Sequence, residues 1–564
     1  MMILDEKKLK ELLIGPGYVS AAAFERAQKI AQSQNRPLSE VIIEEGLIKD
    51  EELGQLIAGL RGYKFINLRQ EKIDEGVLRL IPVSLARHKG VIAFSKDNQK
   101  IKVGMTNPED WELRKNLEKL FAKPLDVYYI TPIDWREALL HYRPPLKEEF
   151  NNTLNAVKQS VEKGEKDRHI IKLVNMLIEH GYYAKASDIH IEPLKDKAMV
   201  RFRIDGVLHE VLSLPIDLLS YILMRIKVLA KMRIDEHLSA QDGKIRYDID
   251  GERLDIRVSI VPVTEGENIV MRLLSPESRR LSLTTLGLSE HNLKIIYQAI
   301  AHPHGMILVT GPTGCGKTST LYEMIKILNR EEVHIATIED PVEYDIEGVS
   351  QIQVNPKTNL TFAQGLRAIV RQDPDIIMVG EIRDSETADI AVNSAMTGHL
   401  VLSTLHTNNA VTAIPRLLEM GIEPFLISST LNLVIAQRLV RQICTRCRVS
   451  YNITDQEIKI IKEDEALKEI FQRRGKWEKL PSLILYKGMG CKVCSGTGFR
   501  GRTGIFEILQ LKETIKEKII QKASADEIMK IAKNEGMVTM LEDGVNKALN
   551  ATTTLFEVLR VIRE

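Results

Sequence analysis

The chain has 564 residues, room for about four domains at ~150 residues each. Its 44% apolar and 27% charged content is close to the average of soluble globular proteins, which excludes a disordered tail protein, a collagen-like fibre and a low-complexity scaffold. With 78 basic and 77 acidic residues the net charge is +1, and aromatics are only 5%, which argues against a nucleic-acid binder built on a basic face and base-stacking platforms.

Residues 1–62 read as a small helical unit. Leu9, Leu12, Leu13, Phe24, Ala27 and Ile30 follow helical spacing, and the pattern recurs from Leu38 through Ile57, a weak helix–turn–helix repeat of about 29 residues. Residues 63–142 read as mixed α/β, with short strands at 91–94 and 101–105 around a polar turn. Pro144, Pro145 and the charged run that follows predict a linker over 146–168, a solvated helix being the alternative. A second α/β unit follows at 169–285, with a helix over 170–181, strands at 186–193 and 199–206, a long helix over 216–231 and strands at 253–260 and 268–274. Residues 286–440 alternate strand and helix, the signature of a parallel sheet with helical crossovers. Residues 441–505 hold two cysteine pairs, and 506–564 form a helical tail. No apolar run reaches the ~18 residues of a membrane span, and Met1 to Lys8 contain no signal-peptide core, so a cytosolic location is expected.

A buried strand at 305–310 leads directly into Gly311, Pro312, Thr313, Gly314, Cys315, Gly316, Lys317 and Thr318, followed by a helix from Ser319. This is a P-loop in its required strand–loop–helix context. Its backbone N–H groups and the helix N-terminus favour phosphate, Lys317 reaches the β- and γ-phosphates, and the Thr318 hydroxyl binds Mg²⁺. Cys315 occupies a variable position and reads as filler. The apolar run 376–379 ends in Gly380-Glu381, which places an acid at a strand end, where a carboxylate acts on Mg²⁺ or water. The strand at 335–338 ends in Glu339-Asp340-Pro341-Val342-Glu343, a second acidic strand end; the bland reading of Glu339 or Asp340 is a turn cap before the proline. His399 and His406 flank a strand at 400–403, and His406 at its end is placed to sense a γ-phosphate.

Together these segments resemble the secretion ATPase superfamily, and within it the type II secretion and type IV pilus assembly ATPases. Residues 311–318 match the Walker A box, 337–344 the Asp box, 371–384 the Walker B box with its glycine before Glu381, and 398–407 the His box. The resemblance covers about residues 170–564 and implies an α/β multidomain protein. In it a RecA-like P-loop ATPase core follows an α/β lobe and a helical N-terminal domain. It implies a Mg-ATP-driven homohexamer, cytoplasmic and peripheral to the inner membrane, acting on an inner-membrane platform protein to drive pilin or pseudopilin assembly. It assigns the water and metal roles to Glu343 and Glu381. By position it gives Arg257 and Arg272 of the first lobe to an ATP site, where a fixed guanidinium fork stabilises phosphoryl charge. Arg203 and Arg246 are weaker candidates. Asp188, His190 and Glu192 alternate on one strand and mimic a metal site, but in the family this segment is a structural signature.

Cys444, Cys447, Cys491 and Cys494 form two C-x-x-C knuckles separated by 43 residues. Four thiolates suit a closed, structural Zn²⁺ site; a redox dithiol is the alternative. Such a module resembles the assembly and secretion branch, since pilus retraction ATPases generally lack it. The N-terminal repeat resembles family modules of which some bind cyclic di-GMP through Arg-Leu-Gly. Here the corresponding positions read Lys8-Leu9-Lys10 and Pro37-Leu38-Ser39, which argues against cyclic di-GMP and for docking to a cytoplasmic or membrane-anchored assembly protein. The competing readings are a nucleic-acid motor, disfavoured by charge and aromatic content, and a non-hydrolysing scaffold, disfavoured by the intact Lys317, Thr318 and Glu381.

Overall fold

The computed structural model describes residues 6–33, 37–71, 73–97, 99–142, 149–153, 166–249, 252–274 and 281–563. The chain divides into two compact units, Met1–Arg280 and Leu281–Glu564.

The first unit opens with helices Glu6–Ile14, Ala21–Ser33, Leu38–Glu44 and Asp50–Leu60. Their apolar positions Leu9, Leu13, Phe24, Val41, Ile42 and Leu53 bury into one core, as the repeat predicts. A four-stranded sheet follows, built from β1 (Lys64–Phe65), β2 (Val91–Lys96), β3 (Ile101–Met105) and β4 (Leu125–Tyr129) in the order β1-β4-β3-β2. An ion cluster joins the helical repeat to the α/β part. Arg69 lies 2.5 Å from Asp50 of helix Asp50–Leu60 and 2.6 Å from Asp134 of helix Pro132–Leu139. Burial, against the pull of Arg69, pushes the Asp134 carboxyl up to about 7.

The second sheet of this unit is antiparallel throughout. Its strands are β5 (Ala186–Pro193), β6 (Lys197–Ile204), β7 (Val207–Pro215), β8 (Gln241–Ile249), β9 (Glu252–Val263) and β10 (Gly266–Leu274), in the order β7-β6-β5-β10-β9-β8. Helices Lys166–Tyr183 and Ile216–Leu229 share its core, and one face of each strand is buried, so the strands alternate apolar and polar. Strands β7 and β8 were not read from the sequence. The helix expected over 216–231 ends at Leu229, and the helix expected from 170 starts at Lys166, inside the expected linker. The rest of that linker, 146–148 and 154–165, lies outside the described residues.

The second unit is built on a seven-stranded sheet. Its strands are β11 (Gly305–Thr310), β12 (Ile335–Glu339), β13 (Val349–Gln353), β14 (Ile376–Val379), β15 (Leu400–Leu405), β16 (Leu431–Ile443) and, after the hairpin described below, β19 (Phe499–Gln510), in the order β13-β12-β14-β15-β11-β16-β19. All neighbours are parallel except β16 and β19. Both faces are covered. Met306 and Leu308 face one apolar core, Ile307 and Val309 the other, which is why β11 reads as an unbroken apolar run.

This sheet corrects the domain boundaries. The core expected to stop at 440 continues to Ile443, and its last strand arises at 499–510, after both cysteine pairs. The antiparallel partnership sets Arg441 opposite Arg502, so residues 444–498 leave and re-enter the sheet at one edge. This excursion holds the two-stranded ribbon of β17 (Arg448–Asn452) and β18 (Ile484–Gly488), and helices Asp455–Glu463 and Glu465–Arg473. Ile461, Leu467 and Phe471 of those helices share a core with Val545, Leu555 and Leu559 of the tail, so module and tail are packed together.

Candidate active site

The P-loop sits where β11 enters helix Lys317–Leu328. Gly311, Gly314 and Gly316 all take positive φ, and Gly316 caps the helix. At Gly311 a Cβ would lie 2.4 Å from the Gln437 carbonyl oxygen, so only glycine lets the loop close against β16. Gln437, buried on β16, grips the loop with both ends of its amide: Nε2 donates to the Cys315 carbonyl at 2.7 Å, and Oε1 accepts from the Thr320 hydroxyl at 2.7 Å. Sequence reading missed Gln437, because β16 also carries Asn432, Arg438, Arg441 and Gln442 and no local pattern singles Gln437 out.

The Lys317 ammonium folds back onto the loop and donates to the carbonyls of Gly311 (2.8 Å) and Pro312 (3.0 Å). Burial lowers its pKa, partly offset by Cys315 and by the Glu381 carboxylate. A loop of left-handed glycines at a helix N-terminus, with a half-buried ammonium inside it, fits a nucleotide's phosphates. Burial pushes the Cys315 thiol up, consistent with filler and inconsistent with a nucleophile. Thr318 and Ser319 follow Lys317 in the first helical turn, and Pro312 and Thr313 lie exposed in the loop.

Glu381 follows β14 and its side chain is 15% exposed. Arg383 Nη2 approaches one carboxylate oxygen at 2.6 Å and His406 Nε2 the other at 3.4 Å. His406 is thus in contact with Glu381, whose charge also acts on Lys317. Gly380, the departure from the common Walker B pattern, lies where β12 and β14 converge. A Cβ there would stand 3.3 Å from Glu339 Cα and from the Ile338 carbonyl oxygen.

Glu339 has a different place from the one expected. It is 2% exposed, and both oxygens are taken. Thr337 donates to Oε1 at 2.6 Å, Gln351 Nε2 donates to Oε1 at 3.2 Å, and Tyr322 donates to Oε2. A carboxylate with its lone pairs so engaged ties β12 to the P-loop helix and β13; it is an anchor, and this corrects its assignment as a catalytic acid. The Tyr322 hydroxyl in turn accepts the backbone N–H of Glu343 at 3.2 Å, and its ring meets Tyr344 edge-on at 4.7 Å. Glu343 is thus tethered to the P-loop helix through its own backbone.

Arg257 and Arg272 lie in the first unit, directly opposite each other on β9 and β10. Arg272 Nε donates to Asp188 at 3.0 Å, and Asp188 also takes Arg203 at 3.4 Å and the Ser187 hydroxyl at 2.9 Å. Glu192 is held by Arg201 and lies 3.6 Å from His190. Asp188 and Glu192 therefore serve arginines. Arg246 is exposed, 3.9 Å from Asp255.

The four cysteines are the one metal-competent cluster among the described residues. Sulfur pairs stand 3.9 Å (Cys444–Cys491), 3.8 Å (Cys447–Cys494) and 3.7 Å (Cys491–Cys494) apart. A tetrahedron with Zn–S near ~2.3 Å has edges of about 3.8 Å, so the donor set fits Zn²⁺. Burial pushes the Cys444 thiol up to about 12. Burial also opposes the Cys494 thiolate, but backbone N–H donors from Cys491 and Gly498 and the neighbouring thiols outweigh it and bring that thiol down to about 7.

A glycine-rich phosphate loop after β11, with a histidine after the adjacent strand β15 and an acid after the next strand β14, defines a P-loop ATPase core. The chain belongs to the type II/IV secretion system protein family, whose model matches residues 163–560. It is 36% identical over 566 residues to the type IV pilus assembly ATPase PilB of Myxococcus xanthus, across 98% of both chains. It is 41% identical over 501 residues to type II secretion system protein E of Dickeya dadantii, across 86% of this chain and 97% of that one. The ATPase DotB of Yersinia pseudotuberculosis shares the fold, with a TM-score of 0.51 at 19% identity over 70% of this chain and 93% of that one. A second family model, the MshEN domain, matches residues 61–149. That is the α/β part rather than the helical repeat, and residues 8–10 and 37–39, whose sequence disfavours cyclic di-GMP, lie outside the matched domain.

Proposed function

We propose that this chain is the ATP-hydrolysing motor that drives pilin or pseudopilin fibre assembly from the cytoplasmic face of the inner membrane. Type IV pilus extension is the first reading. What carries it is the likeness to a pilus assembly ATPase across 98% of both chains, joined to a P-loop whose Lys317 feels the charge of Glu381, the acid that His406 contacts. The 41% identity to a type II secretion protein supports the second reading, a secretion ATPase of the same mechanism.

The motor works as a homohexamer beneath an inner-membrane platform protein, and the N-terminal domain docks a cytoplasmic or membrane-anchored assembly protein. Loop amides and Lys317 hold the ATP phosphates. Thr318 and Glu381 are the residues that would hold Mg²⁺, which supplies charge neutralisation at the phosphoryl oxygens. Glu343 orients the attacking water, and His406 reads the γ-phosphate through its contact with Glu381. Arg257 and Arg272 act in trans on a neighbouring copy's nucleotide, which requires Arg272 to leave Asp188. The four cysteines hold a structural Zn²⁺. Lobe closure on ATP and release after hydrolysis move the subunits.

The test is complementation. Lys317→Ala and Arg272→Ala proteins are assayed alone, then co-assembled. Recovery of ATP turnover in the mixture supports a site shared between copies. A mixture that stays inactive despite verified co-assembly overturns the trans role of Arg272. Extension or secretion defects in a deletion strain decide between the two pathways.

A further inference from the structure

Glu507 lies in the middle of β19, 3% exposed, where a carboxylate is costly unless a specific task holds it. Its Oε1 accepts the backbone N–H of Ala410 at 2.9 Å, a buried bond across 97 residues of sequence. It also receives the backbone N–H of Met540, the first residue of helix Met540–Leu549. Ala410 closes the short segment that begins at His406. Around that segment Thr407 and the following Thr412 donate their hydroxyls to the Asn409 carbonyl at 3.1 and 3.0 Å, and the Asn409 side chain accepts the Thr412 N–H at 2.9 Å. The segment is a small rigid turn, and Glu507 is the buried side chain that fixes it to the core from below. On the other side of Glu507, Ala436 is its register partner on β16, one residue before the P-loop anchor Gln437. Asn408, Asn409, Arg438 and Glu507 line a cavity of about 360 Å³, so the polar side of the turn faces open space while Ala410 and Val411 pack into the core.

We propose that Glu507 is a positioning residue for ATP turnover: by accepting the Ala410 amide it fixes the His406 turn, and so the His406–Glu381 contact. The inference rests on the ATPase reading above. Its role is that of a hydrogen-bond acceptor toward the Ala410 amide, and an uncharged side chain of the same shape that keeps a carbonyl oxygen there preserves that contact. A neutral acceptor also relieves the desolvation that burial imposes on a carboxylate.

The experiment uses the full chain with Mg-ATP. Glu507→Gln retains most of the parent's turnover. Glu507→Met, which keeps the volume and removes the acceptor, lowers kcat by roughly tenfold, the effect of about one net hydrogen bond, while nucleotide KM stays within about twofold. Hydrogen exchange in peptides spanning 406–412 speeds up in the Met variant and not in the Gln variant, while P-loop peptides are unchanged. Should Glu507→Met fail to fold, Ala410→Pro removes the donor instead and carries the same comparison. Equal losses in the Gln and Met variants overturn the proposal. So does a parent-like kcat together with unchanged exchange in the variant lacking the acceptor or the donor. Exchange is read without turnover, and Lys317→Ala serves as the inactive control, so failure of the ATPase reading is distinguishable from failure of this one.

Discussion

Gln437→Leu separates the two ways a buried amide can matter. Leucine is close to glutamine in volume and leaves little void, so the change removes polarity and little packing. Two bonds of 2.7 Å disappear. The Cys315 carbonyl loses the amide donor, a penalty of about 1–3 kcal/mol for a buried group left unpaired. Thr320 loses less, because its hydroxyl also reaches the Gly316 carbonyl at 3.3 Å. The sum is about 2–4 kcal/mol, borne at the loop and the first turn of its helix. If a third to a half of it is felt as loss of the phosphate-binding shape, ATP affinity falls by roughly tenfold, since about 1.4 kcal/mol is one decade. Titration with a fluorescent ATP analogue, alongside thermal unfolding with and without nucleotide, measures both parts. Affinity within twofold of the parent with a lowered Tm refutes the reasoning, because Gln437 would then support the sheet and not the loop.

Glu381→Gln keeps the Lys317 loop intact, so it should bind ATP at near-parent affinity and turn it over at least ~100-fold more slowly; a loss of binding equal to the loss of turnover would contradict that separation. One zinc per chain is expected by elemental analysis. Cys491→Ser should lose it and destabilise the excursion 444–498, seen as faster hydrogen exchange there with P-loop peptides unchanged. Glu557, which ties the last helix to β16 through Arg441 at 2.8 Å, is subject to burial that would raise its pKa. Bonds from Arg560 and Arg441 outweigh this and hold it at about 2, below the ordinary 4.5. Its contribution is therefore fully present above about pH 4.5 and is lost as pH falls toward 2. Glu557→Gln should flatten that part of the acid-unfolding curve; an unchanged slope would contradict the assignment.

Local order was legible in the sequence wherever chemistry and chain proximity coincide. The P-loop, the strand before it and the helix after it are contiguous, so residues 305–328 carried their own conformation and their own phosphate logic. The two C-x-x-C knuckles announced a ligand set by spacing, and the helical repeat of 6–60 announced its core by period. Distant partnership was not legible. That β19 pairs with β16 after a 55-residue excursion depends on which strand edge remains open once the parallel sheet is built, and no local pattern encodes an edge. Glu339 shows the same limit from the other side. In sequence it is one of four acids at strand ends beside a P-loop; in the fold, Tyr322, Thr337 and Gln351 converge on it from three elements and consume its oxygens. Gln437 and Glu507 acquire their meaning the same way, from loop carbonyls and amides that only tertiary packing brings within 3 Å. The sequence alone determined that this chain has a phosphate loop, acids and a histidine at strand ends, and four metal-competent thiols. The tertiary structure decided which of those acids face the loop and which hold the sheet together. Hydrogen-bond saturation is a property of neighbours in space, not neighbours along the chain.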